Sequence, residues 1–511
     1  MALPKRYLIS RFLMARPRTK CLSLVLVSII LYVVGSFICL HIRGNGTVKF
    51  PSNILAIRGS NLNKIDLLHQ QRSSGEARVG QGFDDYGEAA IGENVFDNEL
   101  RKLPDIEFTN MESNHSQPLR GPRRKFLFAF RYYEQLGRAT NNLLDLASLA
   151  KNKNRLLVVP FVNNSRMSGL PGGVSHYFRM RKHEKPSQRT YTLLSEYFDL
   201  KDLNFKLKAR GYSTLNSFRD LESHCAKRFN IVIHFLFDDE GYKTDTASWY
   251  RVSDNEVDTM YKEARQHNGW IDCSAMKQSR LSKQIGFKVS RYICVDPEVI
   301  KTASDLEDNV LKGANCVGIV QWRGTGEARV HFPLHPSITQ LLRPSDLEFN
   351  PRLIELARNF VKNKFRGEFI GIHVRSERHI ERKGINVTKR CMLKLATRVQ
   401  ETRNAYGIRR VFLASDLTDY GSDTLMNYAE ASYRRSLSIF LHKALNLPET
   451  FEPNGILYDT GAAAIVEMNI LSMATRLFTL GGGNFQEWAV AMFLKRHNNE
   501  QTRVHRMCEL V

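Results

Sequence analysis

Three short stretches of the sequence carry side chains whose types and spacing suit the handling of a phosphate-rich ligand. In the first, Gly137-Arg138-Ala139-Thr140-Asn141-Asn142 opens an apolar-periodic segment, and a helix start offers free N–H groups and a positive dipole end to an anion. Read alone, the same residues are also an ordinary glycine turn with an Asn cap. In the second, Gly371-Ile372-His373-Val374-Arg375-Ser376-Glu377, a hydrophobic strand ends in polar residues. His373 and Arg375 share strand parity and therefore one face, and the Arg fork fits a diphosphate. Glu377 can accept a proton or orient Arg375, and a strand-end salt bridge is the plainer alternative. Glu134, just ahead of the first stretch, is another candidate proton acceptor. In the third, Thr479-Leu480-Gly481-Gly482-Gly483-Asn484-Phe485 runs from a strand into an amphipathic helix, and its glycines let backbone N–H groups approach a ligand.

Arg and backbone N–H donors can stabilise a departing diphosphate where a metal-dependent enzyme would use a cation. Asp238-Asp239-Glu240 is the nearest match to a metal-binding Asp-x-Asp and reads better as an acid cluster in a turn. No Cys pair has zinc-type spacing. The expectation is therefore no metal and no cofactor. The basic run Val320 to Arg329, VQWRGTGEAR, raises a sulfotransferase as an alternative, but it is internal and lacks the Lys of a phosphate cradle. A non-catalytic lectin-like or scaffold protein is a third reading.

These residues need an α/β framework to bring them together. Phe126 to Phe130 is a buried-strand run, the segment from Asn141 is an amphipathic helix, and RLLVVPFV from Arg155 is a second strand, which makes a βαβ unit. Helix and strand patterns alternate again from Pro351 to His497, as in a doubly wound parallel sheet, whereas residues 165–340 show few clean periods.

Read in order, the motifs resemble those of the GDP-fucose protein O-fucosyltransferases. GRATNNLLDLASLAKNKNRLLVVPFV is similar to the family's opening Gly-Arg-x-x-Asn-[Gln/Asn], Ala/Leu-rich helix and Asn-Arg-x-Leu-x-x-Pro strand. GIHVRSE resembles its His-x-Arg strand, VFLASD the strand that follows, and VEMNILSMATRLFTLGGGNF the terminal helix, strand and loop. The likeness covers discontinuous blocks, roughly residues 124–165 and 340–500. It implies a GT-B-like fold, with two Rossmann-like domains facing a cleft that holds GDP-fucose without a metal. By motif, Asn141 would contact donor or acceptor near the fucose, with Gly137, Arg138 and Asn142 also binding substrate. Arg375 would meet the diphosphate, and His373 and Asp416 the nucleoside. Gly482, Gly483, Asn484 and Phe485 would form the phosphate loop. Gly483 and Asn484 stand where the family usually has hydroxyls, so backbone N–H groups would have to take over those contacts. The activity implied is inverting, metal-independent transfer of fucose to a hydroxyl of a protein or glycan acceptor.

The rest of the chain places this activity in the secretory pathway. Cys21 to Leu40 is uncharged and matches the ~20 apolar residues that span a bilayer. Lys5, Arg6, Arg11, Arg16, Arg18 and Lys20 precede it without an acid, which holds the N-terminus in the cytosol. The expected order is a cytosolic tail (1–20), a transmembrane signal anchor (21–42), a polar stem (43–123), an N-terminal Rossmann-like domain (124–340) and a C-terminal donor-binding domain (341–511). A single-pass type II protein of the Golgi membrane follows, with the endoplasmic reticulum as the other location and the catalytic body lumenal. Asn45, Asn114, Asn163 and Asn386 are N-glycosylation acceptors there. Cys225, Cys273, Cys294, Cys316, Cys391 and Cys508 could form one to three disulfides, with 15 connectivities open. The 74 Lys and Arg against 52 Asp and Glu, a net +22 over 511 residues, suit phosphates or acidic glycans in this compartment rather than nucleic acid.

Overall fold

The computed structural model describes residues 124–508 apart from 153, 170–190, 251, 274–286, 325–328, 331, 418–430 and 454–458. The expected tail, membrane span and stem, with Asn45 and Asn114, lie outside the described residues. Among the described residues no helix is long and apolar enough to cross a membrane.

The N-terminal lobe is built on strands β1 (Lys125–Ala129), β2 (Arg155–Val158), β6 (Leu215–Asn216), β7 (Arg228–Phe235), β8 (Trp270–Asp272), β9 (Lys288–Val295) and β10 (Cys316–Ile319). Their order in the sheet is β6-β2-β1-β10-β7-β9-β8, parallel throughout except for the edge strand β8. A strand covered on both faces must be apolar on both. Accordingly Phe126 to Phe130 are all buried. Helix α1 (Leu136–Asn152) crosses from β1 to β2, as the βαβ reading required. A small antiparallel sheet, β3 (Phe161–Asn163), β4 (Arg166–Ser168) and β5 (Thr192–Leu193), branches off after β2. The few clean periods between 165 and 340 have a local cause: β4, β5, β6 and β8 are only two or three residues long.

Helix α2 (Pro351–Lys364) opens the C-terminal lobe, with Pro at its first turn and the Asn350 side chain accepting from Arg352 N. The lobe holds β11 (Phe369–Val374), β12 (Arg410–Ser415), β13 (Arg476–Leu480) and β14 (Val504–Met507) in the order β12-β11-β13-β14, all parallel. Between them run α3 (Ser376–Lys383), α4 (Ile385–Tyr406), α5 (Thr460–Ser472) and α6 (Asn484–Arg496).

The expected boundary near residue 340 falls in the irregular chain before α2, but the apolar core does not stop there. One buried cluster joins Leu127, Leu143 and Phe198 of the first lobe to Ala462, Leu471 and Trp488 of the second. Phe198 and Trp488 stack 6.2 Å apart across this junction, with Phe349 beside both. All six cysteines at issue are paired, as Cys225–Cys316, Cys273–Cys294 and Cys391–Cys508. The last of these ties the C-terminal strand to α4.

Candidate active site

In open parallel sheets, ligands sit outside the carboxyl ends of the strands, where the strand order reverses. The first lobe reverses at β1 and β10, the second at β11 and β13. Loops from β1, β11, β12 and β13 converge on one open cleft of about 1020 Å³, counting its mouth. Glu134, Gln135, Leu136, Gly137 and Arg138 line it from the first lobe, and Ser165 from the β3–β4 turn joins them. The second lobe supplies His373, Arg375, Glu377, Ser415, Asp416, Asn484 and Phe485 from its strand ends, and Thr460, Ala464 and Glu467 from α5. Thus residues 237 positions apart in the chain, Arg138 and Arg375, face one space.

Arg375 leaves the end of β11 with its backbone N–H donating to Leu480 O (2.8 Å). Its guanidinium stands 4.0 Å from the Glu377 carboxylate. The glycine run is shaped around it. Gly481, Gly482 and Gly483 have φ of +112°, +108° and +111°. A Cβ on Gly481 would lie 2.2 Å from Arg375 O, and one on Gly483 would lie 2.5 Å from Arg375 Nη1. A side chain is thus excluded at Gly483, one of the two positions where the motif resemblance expects a hydroxyl, because the guanidinium fills its place. Gly482 N donates to Gln486 Oε1 (3.0 Å).

His373 is buried beside Phe485, and burial, reinforced by the Arg375 cation, pushes its imidazole down to about 4. It is neutral at physiological pH and can exchange a hydrogen bond with a ligand without repelling Arg375. Asp416 lines the cleft, but both its oxygens are engaged: Oδ1 accepts from Ser376 N (2.9 Å) and Ser376 Oγ (2.8 Å), Oδ2 from Glu377 N (2.8 Å). Burial raises its carboxyl, and these bonds, with Arg375, oppose the rise. Asp416 therefore fixes the turn that carries Arg375 and Glu377.

Glu134 faces these groups from the first lobe. It has φ of +68°, an unusual conformation for a residue with a side chain, and pairs with Arg138 (3.5 Å). Gly137 packs against Asn484, where an added Cβ would be 3.3 Å from Asn484 Cβ. Asn141 and Asn142 are not among the cleft-lining residues. Asn142 is buried, donates to Tyr133 O (2.9 Å) and accepts from Gly324 N (3.2 Å), so it ties the β1 turn to the end of β10.

Sequence reasoning did not reach Ser165, Thr460, Ala464 or Glu467. Ala464 and Glu467 lie in a stretch read from the sequence as a helix, and a lone Glu in that otherwise apolar run, Glu467, was the available signal. A hydrogen-bond bridge between the lobes sets this wall: Asn164 N and Tyr197 Oη donate to Asp459, and Asp459 caps α5.

Asp238 pairs with Lys243 (2.7 Å), and Asp239 accepts from Tyr242 N (2.8 Å), away from the cleft. Among the described residues no group of three or more His, Cys, Asp and Glu is placed to hold a metal ion. Trp322 and Arg323 are buried at the end of β10, with Trp322 N donating to Arg131 O (2.9 Å). Of the acceptor asparagines, Asn386 is exposed in the first turn of α4. Asn163 is 8 % exposed within the β3–β4 hairpin.

No protein-family model matches the chain, and no curated protein matches it. Several solved structures are similar to it at low identity. POFUT1 in complex with GDP is 10% identical at a TM-score of 0.43, the match covering 76% of this chain and 100% of that one. NodZ from Bradyrhizobium is 13% identical at a TM-score of 0.32, over 72% of this chain and 92% of that one. A mutant of Arabidopsis thaliana FUT1 in complex with GDP is 12% identical at a TM-score of 0.27, over 72% and 69%.

Proposed function

We propose that this chain is a glycosyltransferase of the secretory pathway that moves fucose from GDP-fucose to a hydroxyl of a protein or glycan, with inversion and without a metal ion. In this reading it is a type II protein of the Golgi membrane, anchored through residues 21–42 with its body in the lumen. The observation that carries the proposal is a cleft lined both by Arg375, backed by the glycine loop, and by Glu134 from the other lobe.

As the bond from the fucose anomeric carbon to the diphosphate breaks, negative charge grows on the leaving oxygen. Arg375 is placed to meet that charge, with the start of α6 adding its dipole. Inversion needs the acceptor oxygen to attack the face away from the diphosphate. A proton acceptor is therefore better placed on the wall opposite Arg375, which favours Glu134. Glu377 sits beside Arg375 and serves better to orient it. Buried Glu467 and neutral His373 offer hydrogen-bonding partners to the nucleoside.

The test is a thermal-shift and turnover experiment on the purified protein in EDTA. GDP should stabilise it, by about 2.7 kcal/mol at ~100 times its dissociation constant, and GDP-fucose should be consumed. Stabilisation by UDP only with manganese, or by adenosine bisphosphate alone, would transfer the assignment to another class. GDP binding with no turnover against any acceptor would leave a non-catalytic binder.

A further inference from the structure

The end of β10 contains a feature the proposed chemistry has not used. Arg323 is only 8 % exposed, yet its Nε finds no hydrogen-bond partner among the described residues. What surrounds it is aromatic: its guanidinium carbon lies 3.6 Å from the ring centre of Tyr133, 5.0 Å from that of Tyr242 and 5.8 Å from that of Phe237. A cation held over ring faces is attracted by their quadrupoles, and more strongly when water is excluded. The neighbouring histidine does not oppose it. His234, bonded to the hydroxyls of Tyr242 and Tyr250, is pushed down to about 3 by burial and by Arg323 itself, and so stays neutral.

Tyr133, the ring closest to Arg323, immediately precedes Glu134. Its backbone is fixed at both ends, N donating to Trp322 O (3.0 Å) and O accepting from Asn142 Nδ2 (2.9 Å). Asn142 in turn accepts from Gly324 N, so a single amide locks the turn after β1 to the residue after Arg323. Burial raises the Tyr133 phenol and the neighbouring Glu134 carboxylate adds to the rise, while Arg323 works against it. Glu134 itself is held at a positive φ. Such a conformation persists only where the surroundings over-determine it.

We infer that Arg323 and Tyr133 are positioning residues for Glu134: the caged guanidinium fixes the Tyr133 ring, and Tyr133 fixes the carboxylate that takes the acceptor proton. This role rests on the fucosyl-transfer reading. It assigns a purpose to the basic run after β10 without making it a phosphate cradle.

The test uses the full chain and follows GDP release from GDP-fucose, a reaction that water can complete without a known acceptor. Rates are counted per GDP-binding site, so a misfolded fraction drops out. A positioned proton acceptor is worth ~10²–10⁴-fold, and Glu134→Gln should lose on that order. Tyr133→Phe keeps the stacked ring and loses the phenol. It should lower kcat by roughly tenfold, a fraction of that range, with KM for GDP-fucose and GDP affinity unchanged. Arg323→Gln should do the same, and Arg323→Lys, which keeps a cation over the rings, should recover most of the rate. In a Glu134→Gln background the Tyr133→Phe loss should disappear. Tyr133→Phe and Arg323→Gln at wild-type kcat, an undiminished loss in the Glu134→Gln background, or a parallel loss of GDP affinity would each overturn the positioning role alone. A wild-type chain that binds GDP but never releases it from GDP-fucose would overturn the transferase reading, and this role with it.

Discussion

Gly483→Ala gives a graded test of whether Arg375 does the work assigned to it. Two effects follow from the geometry and can be separated. Gly483 sits at φ +111° and ψ +168°, a region that essentially only glycine occupies. Forcing alanine into it costs about 1–3 kcal/mol of stability. In addition, the new Cβ would stand 2.5 Å from Arg375 Nη1, against an ordinary contact of at least 3.4 Å. The guanidinium is the free end of a long side chain and can yield by about 1 Å, so folding survives. Catalysis should not, since a ~1 Å misplacement can cost about 10²-fold in rate. Gly482→Ala is the matched comparison: its φ is +108°, but nothing lies within 4 Å of the added Cβ.

The assay is GDP release from GDP-fucose at saturating donor, with urea melts on the same preparations. Both alanine variants should lose similar stability. The Gly483 variant should lose the additional ~10²-fold in kcat, approaching the ~10²–10³ expected for Arg375→Ala. Combined with Arg375→Ala, Gly483→Ala should add almost nothing to the rate loss, because the two changes disable one group. Equal turnover in the two glycine variants, or full additivity with Arg375→Ala, would refute the claim that the loop acts through this guanidinium.

Arg375→Lys should restore only part of the activity lost in Arg375→Ala, because it retains charge without the two-pronged geometry; the kcat of the purified variants decides this. His373 and His234, held at about 4 and about 3, bind a proton more readily unfolded than folded, so their contribution to stability falls as pH drops from about 6.5. Urea melts should show His373→Gln losing less stability than wild type between pH 7 and about 4.5, by on the order of 3 kcal/mol at most. Asp145, raised to about 7 by burial, has the opposite sign: its neutral form favours the fold, and that contribution disappears as pH rises through 7. Asp145→Asn should therefore raise the melting temperature at pH 8 and have little effect at pH 4. Opening Cys391–Cys508, which closes 117 residues, should cost about 2–4 kcal/mol and be seen as a lower melting temperature for the Cys508→Ser variant. Endoglycosidase treatment should shift the gel mobility of Asn386→Gln by less than that of wild type, since Asn386 is exposed and the other acceptor asparagines remain.

Much of this site was legible because its residues lie at strand ends. Apolar runs such as Phe126 to Phe130 and Phe369 to Val374 announce buried parallel strands, and whatever polar residues follow them must emerge at the carboxyl edge. That logic found Arg375, Glu377, Gly137 and Arg138. It could not find Ser165 or Glu467, whose presence depends on how the lobes are joined rather than on local pattern. Nor could it distinguish Asn141 from Asn142, adjacent amides on a helix start; the fold buries Asn142 and bonds it to Tyr133 and Gly324. The short strands β5, β6 and β8 left no periodic trace at all.

The departure at Gly483 and Asn484 is where sequence and structure inform each other most. From the motif alone, two missing hydroxyls look like lost contacts to a phosphate. In the fold, Gly483 lets the Arg375 guanidinium lie where one of those side chains would project, and the loop then leads into α6, whose dipole points the same way. A guanidinium can offer a developing diphosphate charge two parallel N–H donors, each making a charge-assisted bond roughly twice as strong as a neutral one. Anchoring the guanidinium then matters more than lining the loop with donors. The anchors are Arg375 N on Leu480 O, Glu377 at 4.0 Å, and Asp416 fixing the turn between them. Asp416→Asn would replace one of the two acceptor oxygens that hold Ser376 and Glu377, leaving Arg375 chemically intact but free to wander. If turnover in that variant falls toward that of Arg375→Ala while GDP still binds, the chemistry depends on where the cation is held as well as on its being present; an Asp416→Asn variant with the wild-type rate would show that β11 alone suffices to aim it.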